Sequence, residues 1–306
     1  MANLSEVGET DQKTYRELFC SAELTAPIHL QLICLSALNV FLSIAACIGN
    51  TLILVALREE SSLHPPTKLL FRCLAASDLC VGLLSEPVTV VYWMSLVNER
   101  WEICRFALTS GVTSSLTLCS VSLVTLTALS VERLLALLLG LRYRQVVTLK
   151  RAYIAVTVFW VVSIVSTTTY FWNYLITIWY RYVGVLLCLL ISTVSYASIF
   201  ATLRQFHSHV QNGGQANQAS QINLGRYRNA LSSTLWLQFA LIVCYLPFGI
   251  TEALTSQKRL TSSFFVVREF AATLVFFNSS LNPFLYCWRI RGVRRAVKDT
   301  IRQICR

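Results

Sequence analysis

The stretch Phe276-Phe277-Asn278-Ser279-Ser280-Leu281-Asn282-Pro283-Phe284-Leu285-Tyr286 sets two amides, two serine hydroxyls, a proline and a tyrosine inside an apolar run extending from 264 to 288. A hydrocarbon core roughly 30 Å thick is crossed by about 20 apolar residues in a helix, so the run is long enough to span. Polar side chains at membrane depth need partners on neighbouring helices or water. Pro283 lacks an N–H and kinks the helix that carries it. The run therefore predicts a membrane helix whose polar face looks into a bundle.

Working outward, six more apolar runs precede it, at 28–57, 67–92, 104–137, 150–172, 176–206 and 228–254. Of the 306 residues, 55% are apolar and only 13% charged, with a mean hydropathy of +0.57. A soluble domain carries about a quarter charged residues. The chain thus predicts an all-α membrane protein: a polar, acidic N-terminal tail over 1–26, a seven-helix bundle over 27–290, and a short amphipathic eighth helix with the C-terminal end over 291–306. Val293, Ala296, Val297, Ile301 and Ile304 supply the apolar stripe of that last helix. His64-Pro65-Pro66 makes a tight turn between spans one and two, and the link between spans four and five is confined to Phe171–Trp179. No basic-then-apolar leader precedes span one, which is expected to serve as its own signal. No solenoid repeat and no inverted halves are visible.

The net charge of +11 is resolved by where it sits. With the N-terminus outside, 18 of the 26 Lys and Arg fall on the cytoplasmic side. That bias is the positive-inside pattern, and it attracts anionic inner-leaflet lipid rather than nucleic acid. Six of the eleven cysteines (Cys34, Cys47, Cys119, Cys188, Cys244 and Cys287) lie in apolar runs as packing residues. The four histidines are scattered and GxSxG is absent, which argues against a metalloenzyme or a serine hydrolase. No cofactor is expected. Asn3 opens a glycosylation sequon, and Cys305 either carries a palmitoyl group or is a free thiol.

Ionisable groups at membrane depth call for a partner, water or a function. Asp78 lies deep in span two, with Asn50 in span one, Ser122 in span three, and Asn278, Ser279 and Asn282 in span seven. These form either a hydrogen-bonded network or a set of hard oxygen ligands for a small cation. Glu132-Arg133 ends span three with adjacent opposite charges, able to pair with each other or with another helix. Pro247 kinks span six as Pro283 kinks span seven.

Together these features resemble the rhodopsin-like (class A) G-protein-coupled receptors. The match runs from about 45 to 300. It is carried by Gly49-Asn50, Leu74 to Asp78, Glu132-Arg133-Leu134, Trp160, Tyr196, Cys244-Tyr245-Leu246-Pro247 and Asn282 to Tyr286. Leu134 and Tyr245 replace the usual Tyr and Trp. The resemblance implies a sodium pocket at Asp78, Ser122, Asn278 and Asn282, and a switch built from Glu132, Arg133, Tyr196, Pro247, Pro283 and Tyr286. It also implies Tyr245 as a rotamer switch under the ligand, with a heterotrimeric G protein as partner. The second outer loop lacks its usual cysteine and Cys188 stands where span five usually has proline. Those departures are similar to the melanocortin, cannabinoid and lysophospholipid branch, with adenosine receptors nearby. Cys104 lies four residues early for the family bridge; it either pairs with Cys20 of the tail or is a free thiol.

Ser115 stands where amine receptors carry Asp, and Phe276 where visual pigments carry the retinal Lys, which argues against both ligands. Candidate contacts for an extracellular small molecule, lipid or peptide are Glu86, Thr89, Val112, Ser115, Cys119 and Tyr245. Phe248, Glu252, Arg268, Glu269, Ala272 and Phe276 complete the set. Glu86, Glu252 and Arg268 either meet a charged ligand or form rim salt bridges. The expected setting is the plasma membrane. A transporter, or a seven-helix protein without G-protein coupling, is the alternative.

Overall fold

The computed structural model describes residues 17–59, 63–212, 218–255, 261–289 and 291–304. Eight helices dominate: α1 (His29–Glu59), α2 (Pro65–Val97), α3 (Trp101–Leu139), α4 (Leu149–Thr168), α5 (Tyr174–Asn212), α6 (Gln218–Thr255), α7 (Ser262–Arg289) and α8 (Arg291–Ile304). Among the described residues, seven helical segments, one in each of α1 to α7, are long and apolar enough to cross a membrane.

Local chemistry explains the ends. Pro65 and Pro66 occupy the first turn of α2, where missing N–H groups cost nothing. Gly140 takes φ +49°, a left-handed conformation that ends α3. Thr148 Oγ1 accepts from the Arg151 N–H at the start of α4. The α4–α5 link is as short as expected: Asn173 Oδ1 accepts from the Ile176 N–H and starts α5 at once.

The helices close a ring in which α3 runs through the middle, packed on α2, α4 and α5, while α7 returns to α1. Gly49 allows the closest approach, since a Cβ there would stand 2.9 Å from Pro283 Cγ. Leu30, Phe41, Ile48, Val165, Leu187 and Phe270 point outward. In water such a surface would be a liability; in lipid it is the solvated face.

Two expectations change, and one feature appears that the sequence does not announce. Residues 17–26 are not simply an exposed tail: Phe19, Cys20, Leu24 and Thr25 are buried against the outer ends of the helices. The apolar stripe of α8 also turns partly inward. Val293 and Val297 join the core beside Ile53, Ala56 and Leu57 of α1, Thr300 is buried, and Ile301 stays exposed. Finally, α2 contains one π-helical turn at Val81–Ser85, where Ser43 Oγ donates to the Gly82 carbonyl at 2.7 Å. Asn3 and Cys305 lie outside the described residues.

Candidate functional site

Two connected chambers open in the outer half of the bundle. The lower lies between α3, α5, α6 and α7; the upper lies closer to α2. Ser115, Phe248, Ala272 and Phe276 border both, as does Arg181. Cys119 and Tyr245 border the lower chamber, and Thr89, Val112, Arg268 and Glu269 the upper. The Tyr245 hydroxyl reaches the Cys119 carbonyl at 3.5 Å.

Two of the candidates do not line this cavity. Glu252 is fully buried behind the arginines, and Glu86 is fully buried with neither carboxylate oxygen hydrogen-bonded among the described residues. Glu86 makes no rim salt bridge among those residues either. It follows the π-helical turn of α2, which sets its facing.

A four-membered ionic chain spans the chamber wall. Arg181 Nη1 stands 3.2 Å from Glu252 Oε2, and Arg268 Nε donates to Glu252 Oε1 at 3.2 Å. Arg268 Nη1 donates to Glu269 Oε1 at 2.6 Å, and Trp93 Nε1 donates to Glu269 Oε2 at 3.0 Å. The Arg181 guanidinium lies 4.7 Å from the Phe248 ring centroid and that of Arg268 5.1 Å from the Phe19 ring centroid. Phe19 is fixed beside Cys20, which is disulfide-bonded to Cys104 with the Cα atoms 6.1 Å apart. Charges this deeply buried are costly even when paired, and such arrangements gather at functional sites.

Arg181 was not among the candidates. A charge near the start of the apolar run 176–206 is nevertheless a signal in the sequence.

Below the chambers sits the Asp78 cluster. Oδ1 accepts from Ser122 at 2.8 Å and from Ser279 at 2.9 Å; Oδ2 accepts from Asn282 at 2.8 Å. Asn278 is buried, its Nδ2 without a hydrogen-bond partner among the described residues, and the neighbouring Ser279 is the one that bonds the Asp78 carboxylate. Asn50 Nδ2 bonds the Ser279 carbonyl at 3.1 Å and fixes α1 to α7 there. No basic side chain bonds the Asp78 carboxylate among the described residues. The Asp78 carboxylate and the Ser122 and Ser279 hydroxyls, from α2, α3 and α7, are hard oxygen groups of the kind that could hold a small cation.

At the inner end, Glu132 does not pair with Arg133 among the described residues. Thr67 on α2 and Tyr143 beyond α3 both donate to Glu132 Oε1. Burial, with the Glu132 bond and charge, pushes the Tyr143 phenol above its ordinary range. Arg133 instead borders a small cavity with Tyr196, Gln238, Leu241 and Tyr286. Ser130 Oγ donates to the Tyr196 hydroxyl at 2.9 Å. Tyr286 packs edge-on against Phe71 at 4.9 Å, its hydroxyl without a hydrogen-bond partner among the described residues. Pro247 and Pro283 both lie within continuous helices.

Residues 49–171 and 165–286 match the family model described as 7 transmembrane receptor (rhodopsin family).

Proposed function

Because the chain belongs to the rhodopsin family of seven-transmembrane receptors, we propose that it binds an extracellular ligand in the outer chambers and activates heterotrimeric G proteins through outward movement of α6. It does so in the plasma membrane with its N-terminus outside. One observation supports this above the rest. Helix α6, like α3, α5 and α7, borders both cavities, the outer with Tyr245 and Phe248 and the inner with Gln238 and Leu241. Pro247 falls beside the outer pair and leaves a backbone carbonyl one turn earlier without its helical donor, a natural place to bend. A ligand that displaces Phe248 therefore tilts the wall of the Arg133 cavity.

The Asp78 cluster, loaded with Na+, holds α2, α3 and α7 together in the resting state. Arg133 meets the G protein when α6 leaves. Leu138 on α3 and Trp236 on α6 are both exposed and can carry spin labels. The distance between them is expected to lengthen when nucleotide-free G protein binds. An unchanged distance with G protein bound would overturn the proposed movement.

A further inference from the structure

The chemical class of the ligand follows from which charges the wall presents. We infer that the outer cavity takes an amphipathic anion, its carboxylate or phosphate head on Arg181 and its apolar body in the lower chamber. The inference rests on the receptor reading above for its biological meaning, but it is a statement about binding.

The four charges of the ionic chain balance, yet they do not face the cavity equally. Arg181 borders both chambers, whereas its counter-ion Glu252 is fully buried and borders neither. Glu269 borders the upper chamber with both carboxylate oxygens already engaged, one by Arg268 and one by Trp93. At the junction of the chambers the wall is therefore cationic.

Arg181 is also incompletely used. A guanidinium carries five N–H donors in a planar fork suited to carboxylate and phosphate. Here the group makes a 3.2 Å ionic contact through Nη1, not aligned as a hydrogen bond, and a ring contact with Phe248. Among the described residues no acceptor bonds Nε or Nη2. An anion can take those donors while Nη1 keeps Glu252, so no buried charge is orphaned. A cation would have to reach Glu252 past two arginines, and a neutral body would leave the fork desolvated without acceptors.

The remainder of the ligand is set by the chamber beneath. Leu116, Leu123, Val124, Val185 and Val275 line it, so the body it accepts is apolar. The head group also acts on α6, because drawing the guanidinium toward an anion alters its contact with Phe248 beside Pro247.

The test uses the full chain in nanodiscs with four twelve-carbon probes below their micellar concentrations: dodecanoate, dodecyl phosphate, dodecylammonium and dodecanol. At least one anion is expected to raise the midpoint of thermal unfolding with saturable affinity, with the amine and the alcohol at least tenfold weaker. The ranking of carboxylate against phosphate tells which head the site prefers. Arg181→Gln is expected to weaken the anion at least tenfold. Glu252→Gln, which removes the competing carboxylate, is expected to tighten it, an opposite sign that a merely structural role would not produce. Should Arg181→Gln not fold, Glu252→Gln and Arg181→Lys decide, the lysine retaining charge and losing the fork.

Equal binding of amine and anion, or an anion affinity indifferent to both substitutions, would overturn the inference. GTP exchange measured on the same nanodiscs separates the two readings. Anion binding without any exchange on G protein counts against the receptor reading alone; exchange without anion preference counts against this inference alone.

Discussion

Tyr143 donates a hydrogen bond to Glu132, and it does so from a helical turn outside the membrane-spanning helices. With Thr67 donating to the same oxygen from α2, the acid is turned away from Arg133, its neighbour in sequence. No other carboxylate is at hand from the following helices, because the sequence contains no Asp or Glu between Glu132 and Glu252. The inner end of α6 therefore has no acid with which to hold Arg133, and basal GTP exchange is expected to be measurable without ligand.

Releasing Glu132 should lower that basal rate. Tyr143→Phe combined with Thr67→Val leaves the carboxylate free to pair with Arg133. A hydrogen bond to a charged group carries roughly 1.5–3 kcal/mol, so a fall on the order of tenfold is expected in nucleotide-exchange assays. A rise would show that the two bonds restrain the switch instead. The pH dependence has a definite sign. Because the folded phenol titrates above the ordinary tyrosine value of about 10, the contact is fully present below that pH and is lost only as pH climbs through the raised value. Between pH 6 and 9 the difference between wild type and double variant should stay constant.

Asp78 should make the protein sodium-sensitive. Thermal unfolding in nanodiscs is expected to shift upward when NaCl replaces choline chloride at constant ionic strength. Asp78→Asn should abolish the shift, since it removes the charge from the donor set. Ser279→Ala should weaken it several-fold, and Asn278→Ala should leave the Asp78 hydrogen bonds in place. Identical melting of the wild type in both salts would exclude the ion and leave a hydrogen-bonded network.

The Cys20–Cys104 bridge closes a long loop, with a sequence separation of 84. Disulfides of this kind contribute roughly 2–4 kcal/mol, largely by restricting the unfolded chain. Cys20→Ser with Cys104→Ser should lower stability by about that amount and release Phe19 from the Arg268 guanidinium. Phe19→Ala keeps the bridge and should change ligand affinity with little loss of stability. Equal stability of the bridged and unbridged proteins in chemical denaturation would contradict this.

Glu86 is a liability in the resting bundle, because neither oxygen of its buried carboxylate has a hydrogen-bond partner among the described residues. Glu86→Met removes both unpartnered oxygens while keeping a side chain of similar length. It should stabilise the protein by about 1–3 kcal/mol at neutral pH, the range associated with an unsatisfied buried polar group. A marked loss of thermal stability would mean that the carboxylate has a partner essential to the fold.

What could be read from the sequence follows from the physics of each feature. The seven spans were legible because lipid demands long apolar runs, and Asp78 with Ser122 and Asn282 because polar groups in such runs are conspicuous. Three-dimensional pairings were not. Ser279 and Asn278 are adjacent in sequence, and only the rotation of α7 decides which one meets Asp78. Glu132 could pair with Arg133 by proximity, but Tyr143 arrives from a turn whose folding no periodicity announces. The π-helical turn at Val81–Ser85 shifts the register of α2, so Glu86 does not border the chambers as simple helical spacing would suggest. Glu252 and Arg181 show the same limit: both are charges in apolar runs, and only the packing of α5 against α6 reveals which is presented and which is hidden.

The most direct measurement is GTP exchange by purified heterotrimeric G proteins of each family on the reconstituted chain, compared with Arg133→Ala at equal folded concentration. Exchange above the empty-nanodisc rate is expected with at least one family, and Arg133→Ala should abolish it without altering thermal unfolding by more than a few degrees. No exchange with any family, with or without anionic ligand, or exchange that survives Arg133→Ala unchanged, would contradict a receptor that signals through this switch.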